Sequence, residues 1–257
     1  MKFETCFYLD HPASADLIMA FAATFDGRLN KMLITDAHLK TRTWAPKQER
    51  IAQALTAEDP PVNIMLFEKG KDESSGDSCY LQMTRWPSVS SGDDVFSLVV
   101  GAPTQDEKVL VTEWWHLASD AGLRSGNGYL QGTPSYDILY GMQGAPSPRE
   151  PNDVWRSFSD TRQRYLKDPT SFHPVVQGKM LRNVLRYNFM PSSLADTVAE
   201  VLKQAGLPAD GFSAYPKDRV VWSVPDPDAQ RAAHDVLFQK GLVWEPVWID
   251  LAAYRSR

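Results

Sequence analysis

"RYNFMPSSLADTVAEVLKQAGLPADGF", residues 186–212, holds the grammar on which the fold turns. The run that leads into it, "LRNVLRYNF" (181–189), is apolar and aromatic-rich, the composition of a strand. Pro191 ends that strand, and Ser192 or Ser193 stands where a helix cap is needed. Leu194, Val198, Val201 and Leu202 then recur at helical spacing and define one buried stripe. Gly206 followed by Pro208 is the usual order at a helix C-terminus. "GFSAYP" (211–216) reads as a short returning strand.

The same grammar follows at once in "DRVVWSVPDPDAQRAAHDVLFQKGLVWEPVWIDL" (218–251). Val220 to Val224 form a strand, Asp226 caps a helix with Pro227 at its first position, and Gly241 closes it. Ala229, Ala233, Val236 and Leu237 face one side, and "LVWEPVWIDL" (242–251) supplies a last strand. Residues 179–257 therefore predict βαββαβ, the ferredoxin-like order, with right-handed crossovers placing both helices on one face.

Two further units near the N-terminus match it. "KFETCFYLDHPASADLIMAFAATFDGRLNKMLITD" (2–36) gives strand, Pro12, a helix with Leu17, Ile18, Phe21 and Phe25 inward, Gly27, strand. "VFSLVVGAPTQDEKVLVTEWWHLASDAGLRSGNGYLQG" (95–132) gives strand, Pro103, helix, Gly122, strand, with Thr104 and Glu107 spaced as a capping box. The fold class that results is α+β, two ferredoxin-like βαββαβ halves: residues 1–133, a 134–178 linker, and 179–257. The first half carries an insertion over 41–93. It contains a helix in "PKQERIAQALTAE" (46–58) and a hairpin of "VNIMLFEK" (62–69) with "CYLQMTRW" (79–86), tipped by "GKDESSGDS" (70–78). In the linker, "DVWRSFSDTRQRYLKD" (153–168) reads as a helix between two loops.

Composition narrows the class of protein. The 257 residues are 43% hydrophobic and 23% charged, ordinary for a globular chain long enough to bury its own core. Cys6 and Cys79 build no disulfide framework, and "MKFETCFYLDHP" has no signal-peptide pattern, so a reducing, cytoplasmic setting is expected. No apolar window is long enough for a membrane span. A formal charge of −5 and a pI near 5.6 argue against direct nucleic-acid binding.

Candidate chemistry is sparse. His11, His38, His116, His173 and His234 form no zinc-type spacing, although His116 and Asp120 share a helix face. "GNGYLQG" (126–132) has the wrong spacing and context for a dinucleotide loop and reads as a turn entering a strand. Cys79 lacks a visible activating base and reads as a buried strand thiol. No catalytic set, metal or cofactor is predicted. The carboxylates Asp72, Glu73, Asp77, Asp93 and Asp94 cluster on the insertion and its exit, either as solvated loop or as an acidic surface that captures a basic partner. Trp244 and Trp248 lie on one strand face, for core packing or as interface anchors; adjacent Trp114 and Trp115 cannot share one narrow helical stripe.

The opening "MKFETCFYLDHPASADLIMAFAA" (1–23), the tryptophan-rich "TEWWHLASDAG" (112–122) and the ending "GLVWEPVWID" (241–250) give the chain a layout that resembles bacterial immunity proteins. It is similar to those that neutralise type VI secretion effectors of the restriction-endonuclease-like nuclease class. The resemblance implies a cognate toxin as partner, blocked sterically and electrostatically, and an acidic face suited to a nuclease built for phosphate. It assigns no role to a numbered residue. Two alternatives stand beside it: a cofactor-binding or catalytic protein on paired ferredoxin-like sheets, with His173 or His234 as axial ligand of a haem, and a ligand-sensing or interaction module without a toxin.

Overall fold

A computed structural model describes residues 2–57, 61–71, 78–86, 94–131 and 167–245. The strands are β1 (Lys2–Leu9), β2 (Lys31–Thr35), β3 (Thr41–Trp44), β4 (Asn63–Phe67), β5 (Tyr80–Trp86), β6 (Val95–Pro103), β7 (Gly126–Gln131), β8 (Tyr187–Pro191), β9 (Phe212–Tyr215) and β10 (Arg219–Ser223). The helices are α1 (Ala15–Ala23), α2 (Gln48–Leu55), α3 (Glu107–Asp120), the single turn α4 (His173–Val176), α5 (Ser192–Gln204) and α6 (Pro227–Gln239). All ten strands among the described residues join one sheet in the order β3-β2-β4-β5-β6-β1-β7-β8-β10-β9, with every neighbouring pair antiparallel.

The α+β class is as the sequence predicts, but the division into two matched four-stranded layers gives way to this single sheet. The inserted hairpin does form, Asn63 opposite Thr84 through Phe67 opposite Tyr80. Its strands β4 and β5 enter the sheet between β2 and β6. The edge strand β3, which sequence reading left without an assignment, pairs beyond β2. At the other end, β8-β10-β9 has the expected crossing, with β10 between the strands that α5 connects. The place beside β8 where a fourth strand of that half belongs is taken by β7, Gly126 opposite Phe189. The final segment turns elsewhere, making a parallel bridge between Val243 and Leu181. The remainder of the expected last strand, 246–251, and the linker helix up to residue 166 lie outside the described residues.

Local signals account for most helix ends. Asp226 caps α6 by accepting from the Asp228 and Ala229 N–H groups, with Pro227 in the first turn. Gly27 and Gly206, the two predicted terminators at matching distances from a proline, sit at φ 77° and 71°, where a side chain is strained. Two caps differ from expectation. Pro191 itself is the cap of α5, with no side-chain bond from either serine. Thr104 opens a 3-10 turn ahead of α3, whose cap position falls on Asp106, so the capping box is replaced. The strand expected over 181–189 begins only at Tyr187. Asn183 Oδ1 accepts from the Val184 N–H, while Asn188 Oδ1 accepts from the Leu185 N–H and its amide donates to the Leu185 carbonyl. These side chains take the bonds a ladder would have taken, and 183–186 stays irregular.

Three apolar clusters fill the molecule. One lies between one face of the sheet and α1, α2 and α3; on the other face, a second lies between the sheet and α5 and α6, and a third gathers around Cys6, Tyr8, Phe172, Val175 and Trp244. Trp114 and Trp115 are both fully buried, because α3 is packed on two flanks at once. Trp114 stacks on Phe3 at 6.0 Å and donates to Thr24 Oγ1 at 3.0 Å. Trp115 leans the other way, edge-on to Phe7 at 5.3 Å and stacked on Phe189 of β8 at 5.5 Å. The glycines of β7 make room for this: a Cβ on Gly126 would meet the Phe7 ring at 2.8 Å, and one on Gly128 would meet Phe3 at 3.0 Å. The dinucleotide-like spacing of "GNGYLQG" is therefore a packing feature.

Candidate functional site

A cleft of about 380 Å³ opens where β1 ends, β6 begins and α4 crosses, lined by Asp10, His11, Pro12, Asp94, Val95, Phe96, His173, Val176 and Gln177. The sheet register sets this geometry by placing Leu9 opposite Phe96, so the residues just past Leu9 and just before Val95 meet at one rim. The helical turn carrying His173 supplies the opposite wall. Two histidines more than 160 positions apart thus converge with two aspartates, a set that no sequence spacing announces.

His11 Nδ1 lies 2.5 Å from Asp10 Oδ1, with the two side chains 74% and 66% exposed. Burial pushes the Asp10 pKa up, but the His11 hydrogen bond and charge, with help from Arg124, outweigh it and hold the carboxyl below its usual value. Asp94 accepts from Arg85 Nε at 2.6 Å, which positions its carboxylate. The cleft therefore presents an ionised carboxylate paired with an imidazole, a second imidazole and a held carboxylate. It can accept and donate hydrogen bonds to a polar ligand or a partner side chain. Among the described residues no group of three or more His, Cys, Asp or Glu could hold a metal ion.

Of the acidic residues predicted as a capture surface, Asp94 alone is described, and it lines this cleft; Asp72, Glu73, Asp77 and Asp93 lie outside the described residues. His116 packs its ring on Tyr215 at 5.0 Å, and the Asp120 backbone carbonyl accepts from Lys217 Nζ. Cys79 is buried and in no disulfide, and its backbone N–H donates to Glu68 Oε2 at 2.9 Å. His234 is buried with Nε2 2.9 Å from the Glu245 carbonyl and Nδ1 3.1 Å from Asp235. Both ring nitrogens are engaged, which removes His234 as an axial haem ligand in this arrangement. Trp244 is core, edge-on to Phe172 at 4.9 Å with its N–H on Ser171 Oγ at 3.1 Å. Its partner in the expected strand face, Trp248, is outside the described residues.

Sequence reasoning missed a buried polar network that ties the two ends of the chain together. Arg182 Nε donates to Glu245 Oε1 at 2.9 Å and its terminal nitrogen to the Tyr8 hydroxyl at 3.1 Å. Asn183 donates to the other Glu245 oxygen, and the Glu245 N–H to the Arg182 carbonyl at 2.9 Å. Burial alone would lower the Arg182 pKa, but Tyr8 and Glu245 raise it instead and the guanidinium stays charged. A charged residue at 182 within a strand-like apolar run was the available signal. A second junction holds α3, whose last turn has no basic residue of its own. Arg219 from β10 donates to the Leu123 and Gly122 carbonyls at 2.5 and 3.3 Å, supplying the cation that a helix C-terminus favours.

No described helix is long and apolar enough to cross a membrane. No family model matches the chain, and no curated protein matches it. Among solved structures, the chain is similar to one described as "Pseudomonas aeruginosa T6SS protein PA0821", with a TM-score of 0.56 and 13% sequence identity. The match covers 95% of this chain and 73% of that one, so what the two share is the fold.

Proposed function

We propose that this chain serves a type VI secretion system as an immunity protein, binding a cognate antibacterial toxin and blocking it. The observation that carries the reading is the fold match across 95% of the chain to a protein described as belonging to such a system. The continuous sheet supports it, because a broad antiparallel platform locked by buried networks suits rigid docking with little ordering cost. A net charge of −5 favours encounter with a basic partner such as a nuclease, and the acidic run at Asp72, Glu73, Asp77, Asp93 and Asp94 is the proposed capture surface.

The test is co-production with a toxin encoded beside this chain's gene. Binding with a dissociation constant in the nanomolar range or tighter, and restored growth of toxin-producing cells, is the expected result. A purified pair that does not associate, in cells left unprotected, would overturn the proposal. Charge reversal at Asp72, Glu73 and Asp77 should slow association and flatten its salt dependence; an on-rate unchanged across ionic strength removes the insertion from the interface.

A further inference from the structure

Away from the cleft at Asp10 and His11, a second concavity of about 410 Å³ lies in the C-terminal part of the molecule. Its walls are the segment after α5 (Leu207, Pro208, Asp210, Gly211) and the β10–α6 junction (Trp222 to Asp226), closed by Ala229 and Ala233 of α6. The floor is apolar: Trp222 is buried and stacks on Phe212 at 5.4 Å with the rings 5° from parallel. The rim is charged with one sign. Asp210 and Asp226 are both exposed, and no lysine or arginine is among the lining residues.

We infer that this groove receives an arginine side chain presented by a protein partner. The inference rests on the proposed role of the chain as a toxin-binding protein and names the chemistry of one contact. An arginine fits both parts of the groove, since its three methylenes cover apolar floor while the guanidinium reaches carboxylate at the rim. A neutral apolar side chain would leave the two carboxylates without a counter-charge, and an acidic one would be repelled. The carboxylates do not contribute equally. Asp226 already accepts from the Asp228 and Ala229 N–H groups and faces the positive end of α6, whereas Asp210 sits on a loop with no helix start beside it. Asp210 therefore supplies the larger share of the attraction. The narrow neck at Gly211 keeps the wall in place, because a Cβ there would meet the Ser223 carbonyl oxygen at 2.5 Å.

The groove is tested on the full chain with two tripeptide probes, acetyl-Gly-Arg-Gly-amide and its citrulline analogue, which keeps the shape and removes the charge. Amide chemical shifts should move at 207–211 and 222–229 with the arginine peptide, and the citrulline peptide should bind at least about fivefold more weakly. The variant Asp210→Asn with Asp226→Asn removes both charges yet keeps the α6 cap, since asparagine caps as well as aspartate. It should unfold at the wild-type temperature and lose the preference for arginine over citrulline. Equal binding of the two peptides, or shifts absent from the groove, overturns the inference. With the cognate toxin, an unchanged affinity of the double variant also overturns it and leaves the immunity role standing. If the wild-type chain binds no toxin, the immunity role fails, and the peptide comparison still decides the groove.

Discussion

Two arginine–glutamate pairs hold distant parts of this chain, and their settings differ. Arg182 and Glu245 are 1% and 0% exposed, inside a network that includes Tyr8, Asn183 and the backbone of both segments. Arg28 and Glu68 are 35% and 12% exposed; the pair joins the loop after α1 to the end of β4 at 2.8 Å and reaches Asp106 at 3.3 Å. The chemistry is shared, but water reaches only one of them. Inside, each charge has been stripped of solvent, so the pair is worth little against an apolar replacement but costly to break. At the rim, solvent screens the attraction, and the pair acts as an adjustable clasp.

The largest expected effect breaks the inner pair on one side only. Glu245→Ala leaves Arg182 charged and buried, and should lower stability in urea unfolding by about 3–5 kcal/mol. Arg182→Met combined with Glu245→Leu should cost clearly less than that single change. If the single variant loses under about 1 kcal/mol, the network does not hold the two ends of the chain together. Trp115→Ala comes next, at about 3–5 kcal/mol in the same assay, because the ring fills the junction between Phe7 and Phe189. Faster hydrogen exchange in β8 than in β4 would locate that loss at the β7–β8 seam.

Smaller effects sharpen the rim side of the contrast. Asp226→Ala removes the α6 cap and should cost about 1 kcal/mol, whereas Asp226→Asn should be close to neutral. For Glu68, burial pushes the pKa up, but the bonds from Arg28 and the Cys79 N–H, with Lys71 nearby, bring it below the ordinary 4.5. A depressed folded-state pKa means the contribution is complete above about 4.5 and is lost as pH falls through the folded value. Glu68→Gln should therefore cost about 0.5–1 kcal/mol at neutral pH after allowance for screening, and the wild-type and variant stabilities should converge in acid. A constant difference from pH 7 down to pH 3 would contradict the clasp. Smallest of all, His11→Gln should leave the unfolding temperature unchanged, since the side chain is mostly exposed.

The helices were legible because their determinants lie within a turn or two of sequence. Leu194, Val198 and Leu202 are buried along α5 as their spacing implies, and Asp226 and Pro227 start α6 as predicted. The β4–β5 hairpin was legible for the same reason, its strands being neighbours in the chain. The site was not. Asp10 and His173 share a cleft only because β1, β6 and α4 converge, and Arg182 finds Glu245 only across 63 positions. One local clue was misread: the glycines at 126 and 128 read as a turn, whereas they mark where aromatic rings press onto a strand.

Local sequence was enough to place the main helices to within a residue or two and to mark the apolar face of each, but it left β3 unmarked and started β8 too early. Tertiary structure alone decided which strands are neighbours: that the insertion enters the sheet, that β7 takes the place beside β8, and that Val243 returns to Leu181. The physical reason is the range of the bonds. A helix satisfies its backbone groups within four residues, so nearby side chains settle its limits. A strand must find its partner elsewhere in the chain, and packing chooses among strands whose local sequences look alike.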